Sequence, residues 1–207
     1  MIRKAIVSAS LIALVILHNG CRSTDGDGID AAPPAVDRRA AWAKPVEISG
    51  VPNLHRLNEH LYRSAQPSSA GFKNLEKQLG VRSVVCLRQF HNNIDEAQDT
   101  LLRVYYVPFS PWSATEDDVI RALRIIARQQ EGPFLVHCLH GADRTGLVCA
   151  AYRVVFDNWT PEEARDEMVK GGYGFHELWR NIPELLLKMD FDKIRRQVLS
   201  SEENAQR

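Results

Sequence analysis

The chain has 207 residues, of which 44% are hydrophobic and 25% charged, enough apolar content for one domain with a real core plus appendages. Lys and Arg together number 26, as do Asp and Glu, so the formal net charge is zero. No basic excess points to nucleic acid or to an anionic membrane surface, and any charged ligand has to be met by local groups.

Residues 1–21 predict an export signal or membrane anchor. Met1-Ile2-Arg3-Lys4 is a positive leader, and residues 5–17 are a thirteen-residue apolar stretch, too short for a comfortable span. Gly20-Cys21 is similar to a lipoprotein cleavage site, although His18 stands where an aliphatic residue is usual. Lipidation at Cys21, ordinary cleavage nearby and an uncleaved anchor stay open; each places the remainder in the periplasm or on the outside of a membrane. Residues 22–45 are rich in Asp, Gly, Ala and Pro, with Pro33-Pro34 and no apolar periodicity, and read as a flexible linker. The folded domain is expected over residues 46–200, with a tail at 201–207.

Residues 61–64 predict a short strand that turns at Gln66-Pro67 into a helix over 71–79, with Ser68 or Ser69 as cap and Gly80 as stop. Residues 81–87 are a nearly continuous β-branched run, the pattern of a strand covered on both faces. Residues 88–100 read as a polar loop with a helical piece, Asp95 and Glu96 on its solvated surface. Residues 104–109 predict the next strand, closed by Pro108 and Pro111. Thr115, followed by Glu116, Asp117 and Asp118, opens a helix whose apolar face carries Val119, Leu123, Ile126 and Ala127. Gly132-Pro133 stops it.

Residues 134–136 predict a buried strand and residues 147–156 a helix, so the segment between them joins a strand end to a helix start. Farther on, Thr160-Pro161-Glu162-Glu163 reads as a capping box and Gly171-Gly172 as a stop. A last helical region reaches Met189, kinked at Pro183, before a charged tail. The alternation predicts an α/β fold: a three-layer sandwich with a central, mostly parallel sheet, helices on both faces, and the functional loop at a strand's C-terminal end.

That loop is His137-Cys138-Leu139-His140-Gly141-Ala142-Asp143-Arg144-Thr145-Gly146. A helix N-terminus leaves backbone N–H groups unpaired at the positive end of the dipole, so a short loop bent over it becomes an anion cradle. Gly141 permits the bend. Cys138 sits in the same positive field, which favours its nucleophilic thiolate. Arg144, five residues beyond the cysteine's neighbour, is spaced to curl back onto the oxygens of a phosphoryl group that the sulfur attacks. Thr145 brings a hydroxyl that is expected to donate to the sulfur. The alternative for Cys138 is a buried strand-end cysteine beside a capping loop.

His137 to Gly146 resembles the signature of the cysteine-dependent protein tyrosine phosphatases, nearest their dual-specificity branch. A rhodanese, which also cradles an anion beside a cysteine, is less similar because its loop lacks the Arg-Thr-Gly exit. Tyr62-Arg63-Ser64-Ala65-Gln66-Pro67 is similar to the opening segment of bacterial and fungal members, and Arg63 and Gln66 are expected to brace the domain. The resemblance implies phosphomonoester hydrolysis, foremost of protein phosphotyrosine, through a cysteinyl-phosphate on Cys138. Leu139, His140, Gly141, Ala142 and Asp143 would line the phosphoryl group with Arg144. It also implies an aspartate general acid from the loop that follows the strand preceding the catalytic one. Here that loop, residues 110–114, has no carboxylate, and Asp117 is the nearest substitute; capping the helix is its competing role. Inositol phosphate or pyrophosphate hydrolysis by the same chemistry and a phosphate-binding pseudophosphatase are the alternatives.

Asp143, repelled by a phosphate dianion, is expected to point away. His137 should pack beneath the loop, His140 face either the mouth or solvent, and His176 be structural. Cys149 belongs to the core, while Cys86, on the neighbouring strand, is a candidate for a reversible bridge to Cys138 or for simple burial. The scattered histidines suggest no metal constellation, and no cofactor is required. The expected partner is a phosphorylated protein, with no nucleic acid, membrane contact only through the N-terminal segment, and a monomeric state.

Overall fold

Short β-branched runs and longer capped helices alternate along the chain, and their apolar residues dictate how the layers stack. The computed structural model describes residues 37–205, which lie in one compact unit beginning at Asp37. The strands are β1 (Lys44–Pro45), β2 (His55–Arg56), β3 (Leu61–Ser64), β4 (Ser83–Cys86), β5 (Arg103–Tyr106) and β6 (Phe134–His137). The helices are α1 (Ser69–Leu79), α2 (Ile94–Ala97), α3 (Glu116–Ile126), α4 (Asp143–Phe156), α5 (Pro161–Lys170), α6 (Asn181–Lys188) and α7 (Phe191–Ala205).

The sheet order is β1-β2-β3-β6-β4-β5. β3, β6, β4 and β5 run parallel, and β1 and β2 add antiparallel pairings at one edge. Successive side chains point to opposite faces of a strand. Leu61, Val85, Phe134 and Val136 accordingly pack into one core with α3 to α7. Tyr62, Val84 and Leu135 pack into a second core with Phe72 and Leu75 of α1 and Ala97 of α2. Two cores on the two faces of one sheet give the expected sandwich and explain why β4 and β6 are buried throughout. The central helix α4 is buried nearly all round because it touches the sheet, α3, α5, α6 and α7.

Helix ends fall where the capping signals put them. Ser68 Oγ accepts from Gly71 N at 3.1 Å, and Gly80 closes α1 in the left-handed region at φ 64°. Thr115 with Asp118, and Thr160 with Glu163, make reciprocal capping boxes on α3 and α5.

Three differences from the sequence reading stand out. The compact unit starts nine residues before Val46, at Asp37. Glu167, buried in α5, accepts from Ala43 N at 2.7 Å and forms a fork with Arg153, whose Nη2 also donates to Ala41 O at 2.9 Å. A buried ion pair needs every remaining lone pair satisfied, and here residues 41–43 help to satisfy it, so a composition that reads as linker is held down. The segment after Met189 is helix α7, with Ile194 and Val198 in the core, rather than only a charged tail. Glu96 lies 2.8 Å from His91 Nε2 rather than being simply solvated. The expected export segment, residues 1–21, and residues 22–36 of the expected linker lie outside the described residues.

Candidate active site

The loop between β6 and α4 starts at Cys138, which is buried. Three successive carbonyls of the loop are engaged from outside. Leu139 O accepts from Gln66 N at 3.1 Å, His140 O from Asn53 Nδ2 at 2.9 Å, and Gly141 O from Arg63 Nη2 at 2.7 Å. Among the described residues nothing accepts from the backbone N–H groups of residues 139–144. Carbonyls turned outward and amides left unpaired over a helix N-terminus are what an anion cradle requires.

Gly141 makes the fit possible. Its φ is 70°, and a Cβ there would lie 2.4 Å from Ser64 C and 2.5 Å from Ala65 N. Both the left-handed backbone and the approach to β3 exclude a side chain. Arg63, a buried residue of β3, places its guanidinium 3.8 Å from the ring centroid of Tyr173 while it holds Gly141 O. Arg63 therefore braces the loop, as the sequence predicts.

Arg144 is fixed by the strand ends beside it. Its Nη1 donates to Leu87 O at 3.1 Å and to Phe109 O at 3.2 Å, leaving Nε and Nη2 without acceptors among the described residues. The same side chain lines a cleft of about 280 Å³ together with Arg88, Phe90, Trp112 and Leu139. Phe90 and Trp112 are largely exposed, so the rim is apolar and the floor cationic.

Beneath the loop a chain of hydrogen bonds runs from the cleft to Cys138. Arg88 Nη1 donates to Gln66 Oε1 (3.1 Å), Gln66 Nε2 to Asn93 Oδ1 (2.8 Å), and Asn93 Nδ2 to His137 Nε2 (2.6 Å). With Nε2 accepting, the imidazole proton sits on Nδ1 and donates to Cys138 O at 3.2 Å. Burial holds the His137 pKa down, at about 4, with Arg88, His91 and Arg144 adding to the same effect. The ring is neutral, as its expected place below the loop requires.

Other expected residues fall less simply. Asp143 points away from the cradle, its carboxylate accepting from His176 N and lying 2.9 Å from His176 Nδ1. His140 is exposed, its ring centroid 5.1 Å from that of His176. Thr145 Oγ1 is buried without a hydrogen-bond partner, so the expected donation to sulfur is not made. Asp117 does not reach the cleft: it is exposed on the first turn of α3, and among the described residues no carboxylate lines the cleft. The helix axis decides this, because Asp118 turns inward as the cap partner of Thr115 while Glu116 reaches Lys193 at 2.7 Å.

Cys86 and Cys138 are free thiols. Burial pushes the Cys86 thiol up, and its Sγ lies 3.1 Å from His91 O. Cys149 is core, its thiol pushed up to about 11 by burial. Asn53 and Asn93 were not singled out from the sequence. Both adopt positive φ, at 54° and 64°, and the clue was asparagine in polar loops, the residue that best tolerates that region after glycine.

The family comparison agrees with this geometry. The sequence model of the tyrosine phosphatase family matches residues 51–170. The chain is 35% identical over 173 residues to the dual specificity protein phosphatase TpbA of Pseudomonas aeruginosa, covering 82% of this chain and 77% of that protein. A crystal structure of TpbA in complex with pTyr superposes with a TM-score of 0.69 at 32% identity, covering 78% of this chain and 98% of the other. An inositol diphosphatase of Arabidopsis thaliana, DSP5, is 27% identical over 127 residues, 58% of this chain and 61% of that protein. With its loop, arginine and sheet in the arrangement described above, the chain belongs to the tyrosine phosphatase family.

Proposed function

We propose that this phosphatase hydrolyses phosphotyrosine in proteins, with serine and threonine phosphates as poorer substrates. The thiolate of Cys138 attacks phosphorus, and the bond from phosphorus to the substrate oxygen breaks. Water then attacks the cysteinyl-phosphate, the S–P bond breaks, and inorganic phosphate leaves as the thiolate is restored. The amides of residues 139–144 and the unpaired Nε and Nη2 of Arg144 take up the charge on the phosphoryl oxygens.

The observation that carries this reading is the cleft itself: Phe90, Trp112 and Leu139 offer apolar surface to a flat ring directly beside Arg144. With no carboxylate lining the cleft among the described residues, a phenol, whose pKa is about 10, departs far more easily than an alkyl alcohol. The test is a panel of phosphotyrosine, phosphoserine and phosphothreonine peptides, with Cys138→Ser as control. Turnover of phosphotyrosine peptides that vanishes in Cys138→Ser supports the reading, and unchanged phosphate release in that variant refutes it and the mechanism together.

One observation favours a second substrate class. Arg88 places another cation in the same cleft as Arg144, which suits inositol pyrophosphates. Faster release of phosphate from an inositol pyrophosphate than from phosphotyrosine peptides would select it. We further propose that the enzyme works outside the cytoplasm, on the strength of the positive leader and apolar stretch in residues 1–17. No helix of the described residues is long and apolar enough to cross a membrane. Fractionation of cells producing wild type and Cys21→Ser tests this, a cytoplasmic wild type being the adverse result.

A further inference from the structure

We propose that His140, Asp143 and His176 form a binding site for a transition-metal dication of the zinc class on the outer lip of the phosphate loop. Each offers one ligand atom, and the three atoms lie within 4.8 Å of one another. The sequence separates the two histidines by 36 positions, and folding closes that gap.

The geometry is built rather than accidental. Asp143 is buried, and its Oδ1 and Oδ2 lie 3.1 and 2.9 Å from His176 Nδ1. His176 N also donates to Asp143 Oδ1 at 2.9 Å, which fixes the backbone that carries the ring. Asn53 Nδ2 bridges His140 O and Tyr173 O, both at 2.9 Å, tying together the two loops that supply the imidazoles. Gly172 and Gly174, at φ 82° and 79°, shape the second loop so that His176 returns over α4.

Tetrahedral zinc with bonds of about 2.0–2.2 Å sets its donor atoms roughly 3.3–3.6 Å apart. Asp143 and His176 already stand close to that separation, and rotation of the exposed His140 closes the remainder. Two imidazole nitrogens and one carboxylate suit Zn²⁺ or Co²⁺ and disfavour Mg²⁺ and Ca²⁺, which take oxygen ligands. The positive pole of α4 opposes a cation here, and the Asp143 carboxylate, on the helix's first residue, offsets it. On binding, the metal takes the Nδ1 lone pair of His176 and the ring proton resides on Nε2, so the interaction with Asp143 passes from a hydrogen bond to shared coordination. Water would complete the fourth position.

The test is titration of the full chain with Co²⁺, followed by its visible and near-ultraviolet spectrum, in wild type and in Cys138→Ser, which removes the competing thiolate. The expected result in Cys138→Ser is saturable uptake of one equivalent with d–d bands of nitrogen and oxygen ligation and no thiolate charge-transfer band. His140→Ala and His176→Ala, made in that background, should each weaken binding about tenfold or more. His140 is exposed, so its variant reports on coordination without disturbing the fold. Loss of all Co²⁺ uptake in Cys138→Ser, or affinity unchanged in both histidine variants, overturns the site. Neither result bears on whether Cys138 hydrolyses phosphomonoesters.

Discussion

Gly141→Ala probes the cradle most directly. An L-residue at φ 70° costs about 1–2 kcal/mol in backbone strain. The new methyl would also stand 2.4–2.5 Å from the backbone of Ser64 and Ala65, where no flexible side chain can yield. Overpacking of that kind costs about 1–3 kcal/mol more, or else pushes the loop off β3. Gly80→Ala is the matched control, with φ 64° and nothing within 4 Å of the new atom, so it carries the strain alone. Urea unfolding should show Gly141→Ala destabilised by roughly 2–5 kcal/mol against about 1–2 for Gly80→Ala. If the loop moves instead, a shift near 1 Å lowers kcat/KM for p-nitrophenyl phosphate by on the order of 10²-fold, and Gly80→Ala remains fully active. A Gly141→Ala protein as stable as Gly80→Ala and as active as wild type would show that the loop is not pressed against β3, and the account of the cradle would fail.

Arg144→Lys replaces a fork held by Leu87 O and Phe109 O with a point charge, and kcat/KM should fall by roughly 10²-fold in steady-state assays. Asp117→Asn should leave turnover close to wild type rather than showing the loss of about 10²-fold or more that follows removal of a general acid; initial rates on aryl and alkyl phosphates decide between the two. Trp112→Ala should raise KM for phosphotyrosine peptides about two- to tenfold, the equivalent of an aromatic contact, with kcat little changed. His137 resists protonation when folded, its pKa lowered from 6.5 to about 4. Between those values the unfolded chain takes up a proton that the native state refuses, so stability falls as pH drops through that window. The contribution lost between pH 7 and pH 5 is about 2 kcal/mol, and His137→Gln should flatten the slope in urea titrations at the two pH values.

The placement of Cys138 and Arg144 and the strand-loop-helix frame that carries them were legible in the sequence because each is a local matter. An apolar run, a glycine and a spaced arginine dictate conformation and chemistry within about ten residues. Asp117 was misplaced because the acids of the first turn of α3 are nearly equivalent in sequence. Only the helix's packing sends Asp118 inward to Thr115, Glu116 to Lys193 and Asp117 to solvent. The segment at residues 41–43 was mistaken for linker for a similar reason: its composition is that of a tether, and what holds it is the Arg153–Glu167 fork more than a hundred positions away.

Sequence alone marked where the cradle lies, since the apolar strand, Gly141 and the spaced arginine act within about ten residues. The tertiary structure decided what surrounds it: the carbonyls that aim Arg144, the relay from Arg88 through Gln66 and Asn93 to His137, and the meeting of His140, Asp143 and His176. Those contacts join positions brought together by sheet order and loop path. Residue type and spacing along the chain carry no record of a distance that only packing sets.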